Sequence, residues 1–126
     1  TRPTAAMRAA MAIAEVGDDV FGEDPTVRTL EALAAELSGK EAALFVPTGT
    51  MANQLAVSVV TRPGDAAIVE AGCHILNHEA GGAAALSGVT LIAVPGEAGI
   101  LDPAAVAAKI PAPDVHAAPV TLICAE

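Results

Sequence analysis

Two stretches of this sequence set residues able to do chemistry beside apolar runs: "FVPTGTMANQ" at 45–54 and "AGCHILNHEAGGAAALSG" at 71–88. In the first, Pro47 stops a strand and Gly49 lets a ligand approach the backbone closely. The amides of Gly49, Thr50 and Met51 then fall in the first turn of a helix, where no intrahelical acceptor reaches them. Free N–H groups and the positive end of the helix dipole favour an anion, and the Thr50 hydroxyl adds a hydrogen bond, so a phosphate is the expected occupant. The same residues also fit an ordinary helix start capped by Thr48 or Thr50 that binds nothing. No Gly-Lys-Ser/Thr follows and no G-x-G-x-x-G is present, which directs the phosphate away from an NTP or NAD.

The second stretch puts His74 directly after an expected strand, on the same sheet edge as the Thr-Gly-Thr turn, with His78 and Glu79 one helical turn later. His74 suits a satisfied core or capping role, or a ring facing a bound ligand; the second is the expectation carried forward. Zinc is disfavoured, because HxxxH lacks the glutamate of HExxH and no third ligand is evident, so no metal site is expected. Gly81-Gly82 and the alanines after them permit close packing of a helix on a sheet. Cys73 and Cys124 match neither a CxxC zinc spacing nor a disulfide scaffold and suit buried free thiols in a reducing cytosol.

The elements that must position these residues show in the hydrophobic spacing. Met7, Ala10, Met11 and Ala14 predict a short helix after Thr4, closed by Gly17. A turn-rich loop follows over 19–25. Asp24 as N-cap, Pro25 at N1, an apolar stripe at Val27, Leu30, Leu33, Ala34 and Leu37, and Gly39 at C′ predict a second helix. From 42 onward, apolar runs alternate with Ala-rich helical stretches. Strands are expected at 42–46, 66–71, 90–94 and 120–125, and helices near 50–60, 75–86 and 102–110. This is the βαβ pattern, and strands without polar alternation call for helices on both faces. The expected fold is α/β, three-layer, with a mainly parallel sheet, and the chain divides into an N-terminal helical arm at 1–41 and a sheet-bearing part at 42–126.

Composition narrows the function. The 126 residues suffice for one domain, and 53% hydrophobic residues suffice for its core, which Ala, Val, Leu and Ile must fill because aromatics are only 2%. A formal net charge of -9 gives no electrostatic footprint for nucleic acid or an anionic membrane. No basic-then-apolar leader opens the chain, and the uncharged run 80–96 is broken by Gly, Ser, Thr and Pro, so a cytoplasmic location is the default. The opening "TRPTAAM" and the closing "VTLICAE" both read as cut ends.

These motifs taken together carry a resemblance. "TRPTAAMRAAM", "VGDDVFGEDPTV", "LSGKEAALFVPTGTMANQ", "CHILNHEAGGAAALSG" and "PDVH" before a strand resemble, in order, the low-specificity L-threonine aldolases. These are pyridoxal-phosphate enzymes of the β-eliminating lyase group with the aspartate-aminotransferase fold. The resemblance covers this chain but not the family's whole length, and makes it the N-terminal part of the large domain. It implies cleavage of L-threonine, L-allo-threonine and related β-hydroxy amino acids to glycine and an aldehyde. The substrate amine would replace an enzyme lysine on the cofactor aldehyde, and the pyridine ring would act as electron sink. It further implies a homo-oligomer, a dimer or tetramer, with the active site shared between subunits.

By the same resemblance Gly49, Thr50 and Met51 match the phosphate-cup turn, and His74 matches the histidine that stacks on the ring and helps proton transfer. Two residues depart from the pattern. Phe21 stands where a tyrosine is usual in a loop reaching the neighbouring subunit's site, and His78 stands where an aromatic residue is common on the substrate side. The family's cofactor-bearing lysine, the carboxylate for the pyridine nitrogen and the anion-binding arginines match nothing within these residues. Lys40 and Lys109 fit solvated positions, so no catalytic lysine can be named. The alternatives are a non-catalytic phosphate-ligand module or lysine-less relic of the fold, and another β-eliminating lyase.

Overall fold

Side-chain caps set the start of four helices in the computed structural model, which describes residues 2–126. Thr4 accepts the Met7 amide and opens α1 (Ala5–Ile13), and Asp24 accepts the amides of Thr26 and Val27 and opens α2 (Pro25–Ser38). Thr48 accepts Met51 N–H at the start of α3 (Gly49–Val60), and Asp102 opens a later helix in the same way. Each cap satisfies a donor that the first turn leaves orphaned.

Contacts divide the chain into a unit ending at Val46 and a unit over Pro47–Glu126. In the first, the second carboxylate oxygen of Asp24 accepts Gly17 N–H at 3.1 Å, tying the stretch after α1 to the start of α2. The backbone donors of Val27 and Gly17 hold the Asp24 carboxyl below its ordinary range, against a smaller opposing effect of burial. Helix α1 ends at Ile13 rather than at Gly17. Gly17 instead lies where a Cβ would collide with the Glu23 carbonyl, so its small size serves that contact. Helix α2 ends as expected at Gly39, which takes φ 64° and returns its amide to Ala35 and Glu36.

The run 42–46 is not a strand. It has no ladder partner among the described residues; Leu44 is exposed, and the Phe45 amide donates to Glu31 Oε1 at 2.7 Å. An apolar run becomes a strand only when a neighbour takes its backbone groups.

In the second unit β1 (Ala66–Glu70) lies between β2 (Thr90–Val94) and β5 (Val120–Cys124), all parallel. Every residue of β1 is buried. Alternate side chains enter two cores: Ala67 and Val69 pack with Val57, Ile75 and Ala83, while Ile68 packs with Val94 and Val106. Burial of each of these valine and isoleucine side chains contributes roughly 1.5–3 kcal/mol. The fold is therefore α/β with helices on both faces of a parallel sheet.

The crossovers give the sheet its direction. From β1 the chain passes through α4 (His74–Asn77) and α5 (Gly82–Ser87), over the Ala67 face, to β2. It then makes a hairpin of β3 (Gly96–Glu97) and β4 (Ile100–Leu101) and passes through α6 (Pro103–Ala107), over the Ile68 face, to β5 on the far side of β1. Strand order reverses at β1, so the β1/β5 boundary is a switch point whose carboxyl-end crevice is the natural ligand site.

Two further expected helices differ from the structure. The one expected at 75–86 breaks between Asn77 and Gly82, where Ala80 and Gly81 adopt φ 51° and 73°. The one expected at 102–110 ends at Ala107. No helix among the described residues is long and apolar enough to cross a membrane.

Candidate functional site

The crevice opens onto a cleft of about 770 Å³ that runs along α3 from Gly49 to Val60 and is closed by the start of α4 and the end of β5. Gly49, Thr50, Asn53 and His74 line it, together with Cys124 and Glu126. The sequence thus brings the Thr-Gly-Thr turn and His74 to one place because α3 packs on the sheet face that α4 crosses. Of the three amides expected to be free, Met51 N–H is taken by Thr48 Oγ1 at 3.1 Å. Those of Gly49 and Thr50 have no acceptor among the described residues. Met51 lines a separate groove with Gln54 and Ser87.

His74 is the first residue of α4. Its backbone N–H donates to Glu126 Oε2 at 2.6 Å, so the carboxylate after β5 closes the helix start that Cys73 leaves uncapped. Its ring has 47% of the side chain exposed, and Nδ1 lies 3.0 Å from Oε1 of a fully buried Glu79 side chain. Glu79 also accepts Asn53 Nδ2 at 2.6 Å and Gln54 Nε2 at 2.7 Å. Burial raises the Glu79 pKa, but hydrogen bonds from Asn53, Gln54 and His74 outweigh it and hold the carboxyl below its ordinary value.

His78 follows with its ring centroid 5.3 Å from that of His74, tilted by 48°. It is exposed and is not among the cleft-lining residues. Phe21 belongs to the other unit, in the 3₁₀ turn Asp19–Phe21, with an exposed side chain. Cys73 and Cys124 are free thiols, and burial followed by the proximity of Cys73 pushes the Cys124 thiol up. Among the described residues no cluster of three or more His, Cys, Asp or Glu could hold a metal ion. Lys40 and Lys109 are exposed and outside the cleft, and no Lys or Arg lines it.

Sequence spacing missed Asn53 and Gln54, and placed Glu79 one helical turn after His74 without giving it a role. His74 and Glu79 are five apart, a separation that does not face across a continuous helix. They meet only because α4 stops at Asn77 and the chain turns through two left-handed residues. Gly82 completes the arrangement: a Cβ there would stand 2.8 Å from Gln54 Cδ, so its bareness lets Gln54 reach Glu79.

A parallel sheet covered by helices on both faces, with a helix start and a histidine at its switch point, defines an α/β protein. The family model described as "Beta-eliminating lyase" matches residues 1–126, and the chain belongs to that family. It is 47% identical over 127 residues to the low specificity L-threonine aldolase of Escherichia coli (strain K12), covering 100% of this chain and 38% of the relative. It is 45% identical over 130 residues to a probable low-specificity L-threonine aldolase 2 of Arabidopsis thaliana, covering 100% of this chain and 37% of that protein. It is also 46% identical over 93 residues to the alanine racemase TOXG of Cochliobolus carbonum, covering 72% of this chain and 24% of that one. The chain therefore spans little more than a third of the length of the aldolases it matches end to end.

Proposed function

We propose that the full-length protein is a pyridoxal-phosphate aldehyde-lyase that cleaves L-threonine, L-allo-threonine and related β-hydroxy amino acids to glycine and an aldehyde, with these residues forming part of its cofactor pocket. The observation that carries the reading is the convergence of two unpaired amides, Gly49 and Thr50, and the half-open ring of His74 on one switch-point cleft. Their chemistry fits the cofactor: N–H groups at a helix start suit its phosphate, and a flat ring on the wall suits its pyridine.

In this reading the Gly49 and Thr50 amides and the Thr50 hydroxyl hold the phosphate, while His74 stacks on the ring and handles a proton near the substrate. Met51 supports the turn through its bond to Thr48. When bound, pyridoxal phosphate supplies the electron sink for bonds broken at the amino acid's α-carbon. With no Lys or Arg lining the cleft, the phosphate's remaining charge is met by residues outside this chain. By the family resemblance His78 would stand on the substrate side, beside the cleft rather than in it, and Phe21 on a loop that reaches a neighbouring subunit of a homo-oligomer in the cytoplasm.

The test is an absorbance spectrum of the full-length protein with pyridoxal phosphate before and after borohydride, with mass mapping of the modified lysine and assays for glycine and acetaldehyde. A cofactor trapped on a lysine C-terminal to Glu126, with glycine released from threonine, is the expected result. A bound, trapped cofactor with racemised alanine and no glycine would move the reading to the chemistry named for the TOXG relative. No trapped cofactor would leave an anion-binding module, resting on the free Gly49 and Thr50 amides alone.

A further inference from the structure

The side chains around Glu79 specify more than an anion site needs. Its Oε1 accepts from both Asn53 Nδ2 and His74 Nδ1, and its Oε2 accepts from Gln54 Nε2. Two consecutive residues of α3 thus hold one carboxylate, Asn53 on the oxygen that faces the ring and Gln54 on the other. An ionised carboxylate only accepts, so the His74 nitrogen facing it carries the hydrogen, and in the neutral ring Nε2 is left with a lone pair. Nδ1 faces a side chain with no exposure while 47% of the imidazole side chain is open, so the open edge of the ring carries Nε2.

We propose that Glu79 is a positioning residue for His74: held by Asn53 and Gln54, it fixes the ring plane and the Nδ1–H tautomer, so that Nε2 is the nitrogen offered to the cleft. This deepens the reading of His74 as the ring that meets cofactor and substrate, and its catalytic consequence rests on that reading. The backbone is shaped for the same end. Ala80, which has a Cβ, adopts φ 51° beside Gly81 at φ 73°, and this reversal turns Glu79 inward instead of continuing the helix. The other groups near His74 do not compete for Nδ1. Glu126 takes its backbone amide, and His78 offers a tilted ring 5.3 Å away, centroid to centroid.

The experiment is long-range 1H–15N correlation of the histidine side chains in full-length protein labelled at histidine, with and without pyridoxal phosphate. His74 is assigned by the signal missing from His74→Asn. Wild-type protein should show the Nδ1–H tautomer already without cofactor. Glu79→Gln, whose amide can donate as well as accept, should show a mixed or Nε2–H ring. Its kcat for threonine should fall about 10- to 100-fold, as for other groups that orient a functional imidazole, with KM within about threefold.

A wild-type Nε2–H ring would overturn the proposal without need of any variant, and so would a Glu79→Gln protein with unchanged tautomer and kcat. If wild type neither binds cofactor nor cleaves threonine, an Nδ1–H ring that is lost in Glu79→Gln still establishes the positioning role, while the aldolase reading falls.

Discussion

At the scale of single residues, the charge on Glu79 makes an acid-range prediction. Its folded pKa lies below the ordinary 4.5, because donors from Asn53, Gln54 and His74 outweigh the effect of burial. A depressed carboxyl contributes stability that is fully present above its unfolded pKa and is lost as pH falls through the folded one. In Glu79→Gln an NH₂ group faces at least one of those donors, leaving buried groups unpaired at a cost of about 1–3 kcal/mol near neutral pH. Urea unfolding of the two proteins should therefore give midpoints far apart at pH 7 that converge as pH drops below about 4.5. Asp24, also held low by its backbone donors, titrates in the same range in both proteins and cancels from the difference. Midpoints separated equally at pH 7 and pH 3 would show that the Glu79 charge contributes nothing.

At the scale of elements, the break between α4 and α5 gives two neighbouring glycines different tasks. Gly81 has φ 73° and open space around its missing Cβ, so Gly81→Ala meets only backbone strain, about 1–2 kcal/mol. Gly82 has no such φ, but an added Cβ would meet the Gln54 amide and displace it from Glu79, an overpacking cost of about 1–3 kcal/mol. Thermal melts should show both variants destabilised, while only Gly82→Ala also disturbs the His74 ring signals. Disturbance of those signals by Gly81→Ala alone would reverse the assignment of roles.

This break was hidden in the sequence because alanines and glycines at 80–85 carry no periodicity to interrupt. Helices α2 and α3 were legible because Asp24, Pro25 and Gly39 in one, and Thr48 in the other, state their ends in side-chain chemistry. The β3–β4 hairpin was missed for its shortness. Its two-residue loop, Ala98-Gly99, has positive φ at both positions, as a type I′ turn requires, but two-residue strands leave no alternation to read. Thr-Gly-Thr and His74 could be found because each directly follows an apolar run, whereas the Asn53–Gln54–Glu79 grip needs a tertiary turn that no local spacing encodes.

At the scale of the whole chain, the balance between exposed apolar surface and net charge decides how the isolated 126 residues behave. Met7, Met11 and Ile13 on α1 and Leu30, Leu33 and Leu37 on α2 are all exposed, and so is Ile123 on β5. Apolar surface on this scale favours association, and the free edge of β5 adds unpaired backbone groups. Opposing this is a formal charge of -9, which keeps copies apart at neutral pH and low salt. That opposition is removable, because the charge vanishes near the sequence pI of 4.5 and is screened beyond about 3 Å at 1 M salt. Light scattering from the isolated chain should therefore rise as pH is lowered toward 4.5 or as salt is raised at pH 7, together with binding of a hydrophobic dye. The full-length protein, about two and a half times as long if it matches a relative of which this chain covers 38%, should bind much less dye per chain at pH 7 because its remaining elements cover these faces. An isolated chain that stays monomeric and dye-free at its pI would mean that these side chains find partners within the 126 residues in solution. The Leu30, Leu33 and Leu37 stripe would then have to be packed against this chain itself.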